Sequence, residues 1–447
     1  MPLTRLLGSG LAISGYTGAP GWMNEHSSII GAFELLCGEG KPSALATVVS
    51  VSGSAYRRPG ARMLIAEDGR TWGGVSGGCL ERDVARRARG GLASGRSVVC
   101  RYETTDNEDL SSGAATGCRG TVDLFIEPLS RSAPGPIPWL IRSIRERRSV
   151  AVATILRTSA AGDGRGPGAR ISLDENDIVE GRFEDPALRS LCLDALSDGA
   201  MGELAKRVQY RAAGVTTDVF IERLSPPQEL VIFGGGPDAV PVVSMAKLMG
   251  WRVTVVGVRP ATGLAQRFAQ ADTLHVTPPG DPLAGVEMTP ESAVVLMTHN
   301  YPRDIGILAG LPLAPRYLGI LGPRSRTEEL FAELGADLKT PLGAMAPAIG
   351  PRQHGQTSTL VHGTHCADSA SPTLQRVYAP IGLDLGAETP EQIALSIVAE
   401  IQAVLRSTEA GFLRDRQGPI HRQPVGKSDF ADGTDMQRVW REVACPM

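Results

Sequence analysis

Two passages that recur in the same order constrain the first half of this 447-residue chain more than any other feature. Pro59-Gly60-Ala61-Arg62 returns as Pro167-Gly168-Ala169-Arg170, 108 positions later. Thr121-Val122-Asp123-Leu124-Phe125-Ile126-Glu127 returns as Thr216-Thr217-Asp218-Val219-Phe220-Ile221-Glu222, 95 positions later, and Thr154-Ile155-Leu156 echoes Thr47-Val48-Val49 at a similar offset. Ordered matches of this kind mark one supersecondary unit copied twice. In the first copy a helix is expected over Ser28 to Cys37, and β-branched runs predict strands at 44–51, 61–66, 71–75, 97–102 and 121–129. Glu67-Asp68-Gly69-Arg70 has the chemistry of a hairpin turn. The expected class is therefore a β-rich α+β amino-terminal domain with an internal duplication.

A duplication separates scaffold from chemistry, because packing needs persist in both copies whereas a reactive group need persist in only one. The first copy carries Ser76-Gly77-Gly78-Cys79-Leu80-Glu81; where it has Gly77-Gly78-Cys79, the second has Gly181-Arg182-Phe183-Glu184-Asp185 and no thiol. The offset falls from 108 to 95, so the second copy is 13 residues shorter, and the segment around Thr105 to Gly120, which contains Cys118 among glycines, is the place to lose them. Both glycine-flanked cysteines thus belong to copy one. Cys79 is expected in the first turn of a helix through Val84, Ala85 and Ala88. There, free amides and the helix dipole favour thiolate, and the glycines let backbone approach an anionic ligand. The plain alternative is a small buried residue beside a turn.

Composition narrows the classes. Forty-five basic against 48 acidic side chains leave a formal charge of −3, and aromatic residues are 5% of the chain, which argues against a nucleic-acid partner. No apolar run reaches the ~20 residues of a membrane span. Seven cysteines, an odd and scattered set, point to a reducing, cytoplasmic compartment with free thiols. Cys37, Cys100 and Cys192 lie on apolar faces and are read as core. Neither Cys79 nor Cys118 has the neighbour a zinc site requires. His362-Gly363-Thr364-His365-Cys366 matches no metal spacing either, and falls in an expected insertion loop, 340–375. Residues 1–23 are read as a disordered extension, since glycine and serine interrupt the apolar core a signal peptide needs.

After the linker Pro226-Pro227-Gln228, the apolar strand Glu229 to Phe233 runs into Gly234-Gly235-Gly236-Pro237-Asp238-Ala239, a helix to about Met249, and a second strand, Arg252 to Val256. Strand, glycine turn, helix and strand within ~30 residues predict a Rossmann-like parallel α/β domain. The acid that would hold the ribose hydroxyls is absent: Gly257 stands there, which argues against tight NAD binding, and Arg259 is placed to meet a phosphate. Later strands end at His299, Arg324 and Arg326, expected to face the same crevice as Gly234 and Gly236. Thr389-Pro390-Glu391-Gln392 is a capping box opening a helix with the apolar stripe Ile393, Ile397 and Ile401.

GSAYRRPGARM (53–63), SGGCLE (76–81), GCRGTVDLFIEP (117–128), LVIFGGG (230–236), THN (298–300), LGILGPRSR (318–326) and PIGLDLGAETPEQIALSIVAEI (380–401) together resemble the XdhC/CoxI family over roughly residues 28–408. The resemblance implies an accessory factor, a chaperone more than a catalyst, for xanthine dehydrogenase and related molybdenum hydroxylases. Such a factor binds molybdenum cofactor (molybdopterin), supports its sulfuration and inserts it into the apo-enzyme. Cys79 is then the leading metal contact and Cys118 the second, with Ser76, Gly77, Gly78 and Glu81 completing the loop. Gly234, Gly236, Arg259, His299 and Arg324 would receive the pterin phosphate. Partners implied are an apo molybdenum hydroxylase, a cysteine desulfurase-type sulfurase and a second copy of the chain as homodimer. Gly257 stands where members usually have Asp, Gly236-Pro237-Asp238 replaces the more usual glycine-histidine turn, and Arg119 occupies a position often glycine. The competing expectation is an NADP-dependent oxidoreductase using Gly234, Gly236 and Arg259. The expected organisation is the extension 1–23, a thiol-bearing unit 24–130, its degenerate copy 131–227, a Rossmann-like domain 228–408 and a flexible tail 409–447.

Overall fold

In the computed structural model, which describes residues 25–53, 55–103, 120–159, 166–197, 205–212, 215–258, 263–311, 314–334, 377–416 and 441–442, the first half repeats one plan strand for strand. The first copy runs α1 (Glu25–Gly38), β1 (Ser43–Gly53), β2 (Arg62–Ala66), β3 (Thr71–Gly73), α2 (Glu81–Ser94), β4 (Val98–Glu103) and β5 (Gly120–Leu129). The second runs α3 (Ile137–Arg145), β6 (Val150–Thr158), β7 (Arg170–Asp174), β8 (Val179–Gly181), α4 (Pro186–Ser197), β9 (Ala205–Ala212) and β10 (Val215–Leu224). The sheet orders are β3-β2-β1-β5-β4 and β8-β7-β6-β10-β9, antiparallel throughout. Even the irregularities recur. The central pair slips register between Val48 and Ser50 in one copy and between Asp218 and Val219, opposite Ile155 and Arg157, in the other.

Pairing register locates the missing residues. Tyr102 faces Val122 and Tyr210 faces Thr217, so the offset is 108 on one strand and 95 on the next. The shortening therefore falls between β4 and β5, where 104–119, including Cys118, lies outside the described residues. Register also corrects one sequence alignment. Gly181 pairs with Ile171 as Gly73 pairs with Met63, so Gly181 is the counterpart of Gly73 rather than of the thiol loop. The two glycines have φ of 78° and 83°, and a Cβ on either would sit 2.4 Å from the Arg62 carbonyl oxygen or 2.3 Å from that of Arg170. No side chain fits there. Gly181→Ala is accordingly expected to cost about 1–3 kcal/mol in denaturant unfolding. Gly31→Ala, in α1 with nothing within 4 Å of its Cβ, should be neutral or stabilising.

The copies are held together by contacts that each supplies to the other. Arg62 donates to both oxygens of Glu222 at 2.5 and 2.6 Å, and Arg170 donates to Glu127 at 2.5 Å, equivalent residues exchanged across the interface. Between them Val49, Phe125, Leu156 and Phe220 form one apolar cluster, again two equivalent pairs. Ile29, Phe33 and Leu36 of α1 pack with Ile137 and Leu140 of α3 over Leu45, Leu64, Val150 and Val152. The second half of each copy builds its own small core, Val84 and Ala88 of α2 over β1 and β5, Leu188 and Cys192 of α4 over β6 and β10.

The described residues divide into two units, one up to Pro227 with those from Leu413 onward, the other Gln228–Phe412. The second contains β11 (Glu229–Phe233), α5 (Ala239–Leu248), β12 (Arg252–Val258), α6 (Leu264–Arg267), β13 (Thr273–Thr277), β14 (Ala293–Leu296), α7 (Tyr301–Gly310), β15 (Tyr317–Ile320), α8 (Arg324–Glu333), β16 (Val377–Tyr378) and α9 (Pro390–Leu405). Its strand order, β13-β12-β11-β14-β15-β16, is all parallel and reverses direction of growth at β11 and β14. That is the Rossmann order, and it fixes a crevice beyond the strands' carboxyl ends. Helices α5 and α9 cover one face and α7 and α8 the other. The Thr389–Gln392 capping box forms, with Ile397 and Ile401 fully buried. Of the expected insertion, 340–375 lies outside the described residues. Of the expected tail, Leu413–Asp415 makes a 3-10 turn and Arg441–Glu442 adds strand β17 beside β9, while 417–440 and 443–447 lie outside the description.

Candidate functional site

Between β3 and α2 the chain makes a loop, residues 74–80, that is longer than its counterpart 182–185 between β8 and α4. Val75, like Phe183, is buried under the following helix and anchors the loop. Gly77, Gly78 and Cys79 then stand exposed, and Gly78 has φ of 113°, which a side chain would strain. Cys79 falls just before the helix cap at Leu80, outside the first turn in which the sequence placed it. Its thiol is accessible, 3.5 Å from the Ser76 hydroxyl, and the amides of Gly77 and Cys79 donate to no acceptor among the described residues. Cys100 and Cys192 are buried as expected, and Cys37 is partly so; burial pushes all three thiols up, Cys192 to about 12.

Ser76 and Glu81, expected as contacts to a cofactor, hydrogen-bond within the loop itself. The Ser76 hydroxyl donates to Glu81 and accepts the Gly78 and Leu80 amides, each at 3.1 Å. Glu81 also accepts the Ser76 amide at 2.9 Å and the Val75 amide at 3.3 Å, so both its oxygens are engaged. Burial raises the Glu81 carboxyl, but these hydrogen bonds outweigh it and hold it below the ordinary carboxylate range. A lowered folded-state pKa stabilises above the unfolded value of 4.5, and the contribution is lost as pH falls through the folded value. The stability gap between the native chain and Glu81→Gln should therefore be constant near neutrality and close below about pH 4.5 in denaturant titrations.

One neighbour of the loop had no signal in the sequence. The Tyr56 ring, 71% exposed, lies against Gly77, where an added Cβ would touch it at 3.5 Å. The turn presenting it is tied down by Arg57, which donates to both oxygens of Glu25 in α1 at 2.6 and 2.7 Å. The loop thus offers an accessible thiol, a pair of free amides and an aromatic face within one exposed patch. Arg82, Arg86 and Arg89 follow on the outer face of α2.

The Rossmann unit carries a second candidate, a cleft of about 540 Å³. Gly234 and Gly236 line it as expected, as does His299, whose exposed ring stands 3.4 Å from Asp238. Arg324 does not. It opens α8, is 73% exposed and pairs with Glu328 at 2.9 Å, because the first turn of α8 presents it to solvent. Arg326 is likewise diverted, pairing at 2.6 Å with the buried Asp304. Arg259 lies outside the described residues. The cation that does line the cleft is Arg303 of α7, which the sequence pattern did not single out.

Residues 36–103 match the model of the XdhC and CoxI family, and residues 230–357 and 338–401 match that of the XdhC Rossmann domain, together more than half of the chain. The chain belongs to the XdhC and CoxI family. The first match takes in the thiol loop and the second the glycine turn, His299 and Arg303. Among relatives, it is 29% identical over 360 residues to a Bacillus subtilis (strain 168) protein named as a probable xanthine dehydrogenase subunit, spanning 80% of this chain and 92% of that protein. It is 25% identical over 387 residues to the molybdenum cofactor insertion chaperone PaoD of Escherichia coli (strain K12), spanning 85% and 89%. A Bacillus halodurans crystal structure described as a xanthine dehydrogenase superposes with a TM-score of 0.62 at 28% identity, over 86% of this chain and 98% of that one. No described helix is long and apolar enough to cross a membrane.

Proposed function

We propose that this XdhC/CoxI-family chain is an accessory protein that takes up molybdenum cofactor as cargo at the thiol loop and inserts it into an apo molybdenum hydroxylase of the xanthine dehydrogenase type. The observation that carries the reading is the exposed Cys79 thiol on a glycine-built loop that the otherwise equivalent second copy lacks. A relative named as a molybdenum cofactor insertion chaperone, similar over most of both chains, supports it.

The chemistry of the loop suits such cargo. Molybdenum held by a dithiolene is soft and anionic, and thiolate is the soft ligand among side chains. Among the described residues no group of three or more His, Cys, Asp or Glu is arranged to cage a metal ion. A metal contacted by one thiolate while its own pterin supplies the other sulfurs can be released, which transfer requires. The Gly77 and Cys79 amides offer donors to the anionic periphery, and the Tyr56 ring offers a face for a flat heterocycle. Sulfuration by a cysteine desulfurase-type sulfurase while the cofactor is held, a homodimeric state and a cytoplasmic setting complete the reading.

The test is the metal and pterin content of the chain purified without oxygen from a host that makes the cofactor. Near-stoichiometric molybdenum and pterin, transferable to an apo-hydroxylase with gain of its activity, are expected; a metal-free and pterin-free protein that confers no activity would end the proposal.

A further inference from the structure

The cleft of the Rossmann unit carries a cation where this fold commonly places an acid. Gly257, near the end of β12, has no side chain to accept ribose hydroxyls, and its carbonyl accepts the Thr277 hydroxyl at 3.2 Å. Thr277 in turn accepts Arg303 Nη2 at 2.7 Å. Two hydrogen bonds therefore tie the Arg303 guanidinium to the end of β12 and β13. The other terminal nitrogen, Nη1, is buried and has no partner among the described residues. The acid next to it in sequence is already engaged: Asp304 accepts Thr298 on one oxygen and Arg326 on the other. Burial pulls Arg303 below its ordinary value, with Asp304 opposing. A buried donor without an acceptor costs free energy that a bound anion would recover.

The glycine turn fixes which anion. Gly234, Gly235 and Gly236 line the cleft with backbone alone, and Cβ atoms on Gly234 and Gly235 would lie 2.6 Å from the Met297 carbonyl oxygen and 2.8 Å from Leu264. The Gly236 position is closed by Asp238 Oδ1, buried and without a partner among the described residues, 2.3 Å from where its Cβ would be. In this strand order a diphosphate lies over the turn after the first strand, and the adenosine ribose over the end of the second. Arg303 is tethered to the latter place. We infer that this cleft binds a nucleotide carrying a phosphate monoester on its adenosine ribose, and that Arg303 contacts that phosphate. The inference rests on residues of the Rossmann unit alone, and it stands whether or not the thiol loop holds molybdenum.

Isothermal titration of the full chain with adenosine 2′,5′-bisphosphate and with adenosine 5′-monophosphate tests it. The bisphosphate should bind at least about tenfold more tightly, the worth of a charge-assisted contact. That preference should vanish in Arg303→Met. It should vanish also in Gly257→Asp, whose carboxylate would neutralise the guanidinium; because its Cβ would come within 2.9 Å of the buried Leu264 side chain, the thermal midpoint of this variant is measured beside its affinity. Cys79→Ser should leave it unchanged. Equal affinities in the native chain, no binding of either probe at millimolar concentration, or tighter binding by Arg303→Met, which would make the arginine a plug, would each overturn the inference.

Discussion

Cys79→Ser is expected to lower the affinity of the purified chain for molybdenum cofactor by about 10- to 100-fold or more, the scale seen when metal-site support is removed. Serine preserves the loop geometry, because Cys79 Sγ makes no contact on which the loop depends beyond the Ser76 hydroxyl 3.5 Å away. What changes is the ligand atom, from a soft sulfur to a hard hydroxyl oxygen. Equilibrium dialysis against cofactor released from a hydroxylase, read by molybdenum and by pterin fluorescence, gives the number. The thermal midpoint should not move. A variant that loses affinity and also melts early would assign the thiol to packing, and one that retains affinity would remove it from the site.

The largest effect on stability is expected at the buried ion pairs that join the two copies. Arg62 is 1% exposed and Glu222 4%, so Arg62→Met leaves a carboxylate in the interior without its partner. Breaking one side of such a pair costs roughly 3–5 kcal/mol. Arg62→Met combined with Glu222→Leu should recover most of that loss, since paired apolar replacements are often tolerated. Arg170→Met, which strands Glu127 at the symmetry-related place, should cost about as much as Arg62→Met. Denaturant unfolding of these variants beside the native chain distinguishes this from a surface role: losses under about 1 kcal/mol would put the pairs in the class of exposed salt bridges.

Local chemistry was legible in the sequence and long-range reach was not. Repeated strands, the strand-to-glycine turn at Phe233–Gly236 and the Thr389 capping box are properties of neighbours in the chain, and the fold class follows from them. The uniqueness of Cys79 to one copy was legible too, because the chain contains its own control. Gly181 was misaligned for a physical reason: its counterpart is set by a collision with the Arg170 carbonyl, which sequence does not display. Arg324 follows a strand end at the right spacing, yet the first turn of its helix faces solvent, and spacing alone gives no direction. Arg303 and Tyr56 were missed because each acts at a distance. Arg303 reaches Thr277, 26 positions away, and Tyr56 meets Gly77 across a turn. The hydrogen bonds by which Ser76 and Glu81 hold the loop were not legible, since a carboxylate beside a glycine run can face a ligand or hold the backbone.

The central claim is that sulfur from Cys79 meets the metal. X-ray absorption at the molybdenum edge of the cofactor-loaded chain measures it directly, by comparing the sulfur shell of the native protein with that of Cys79→Ser. The account predicts one sulfur scatterer more in the native protein than in the variant. Identical sulfur shells in the two would contradict it.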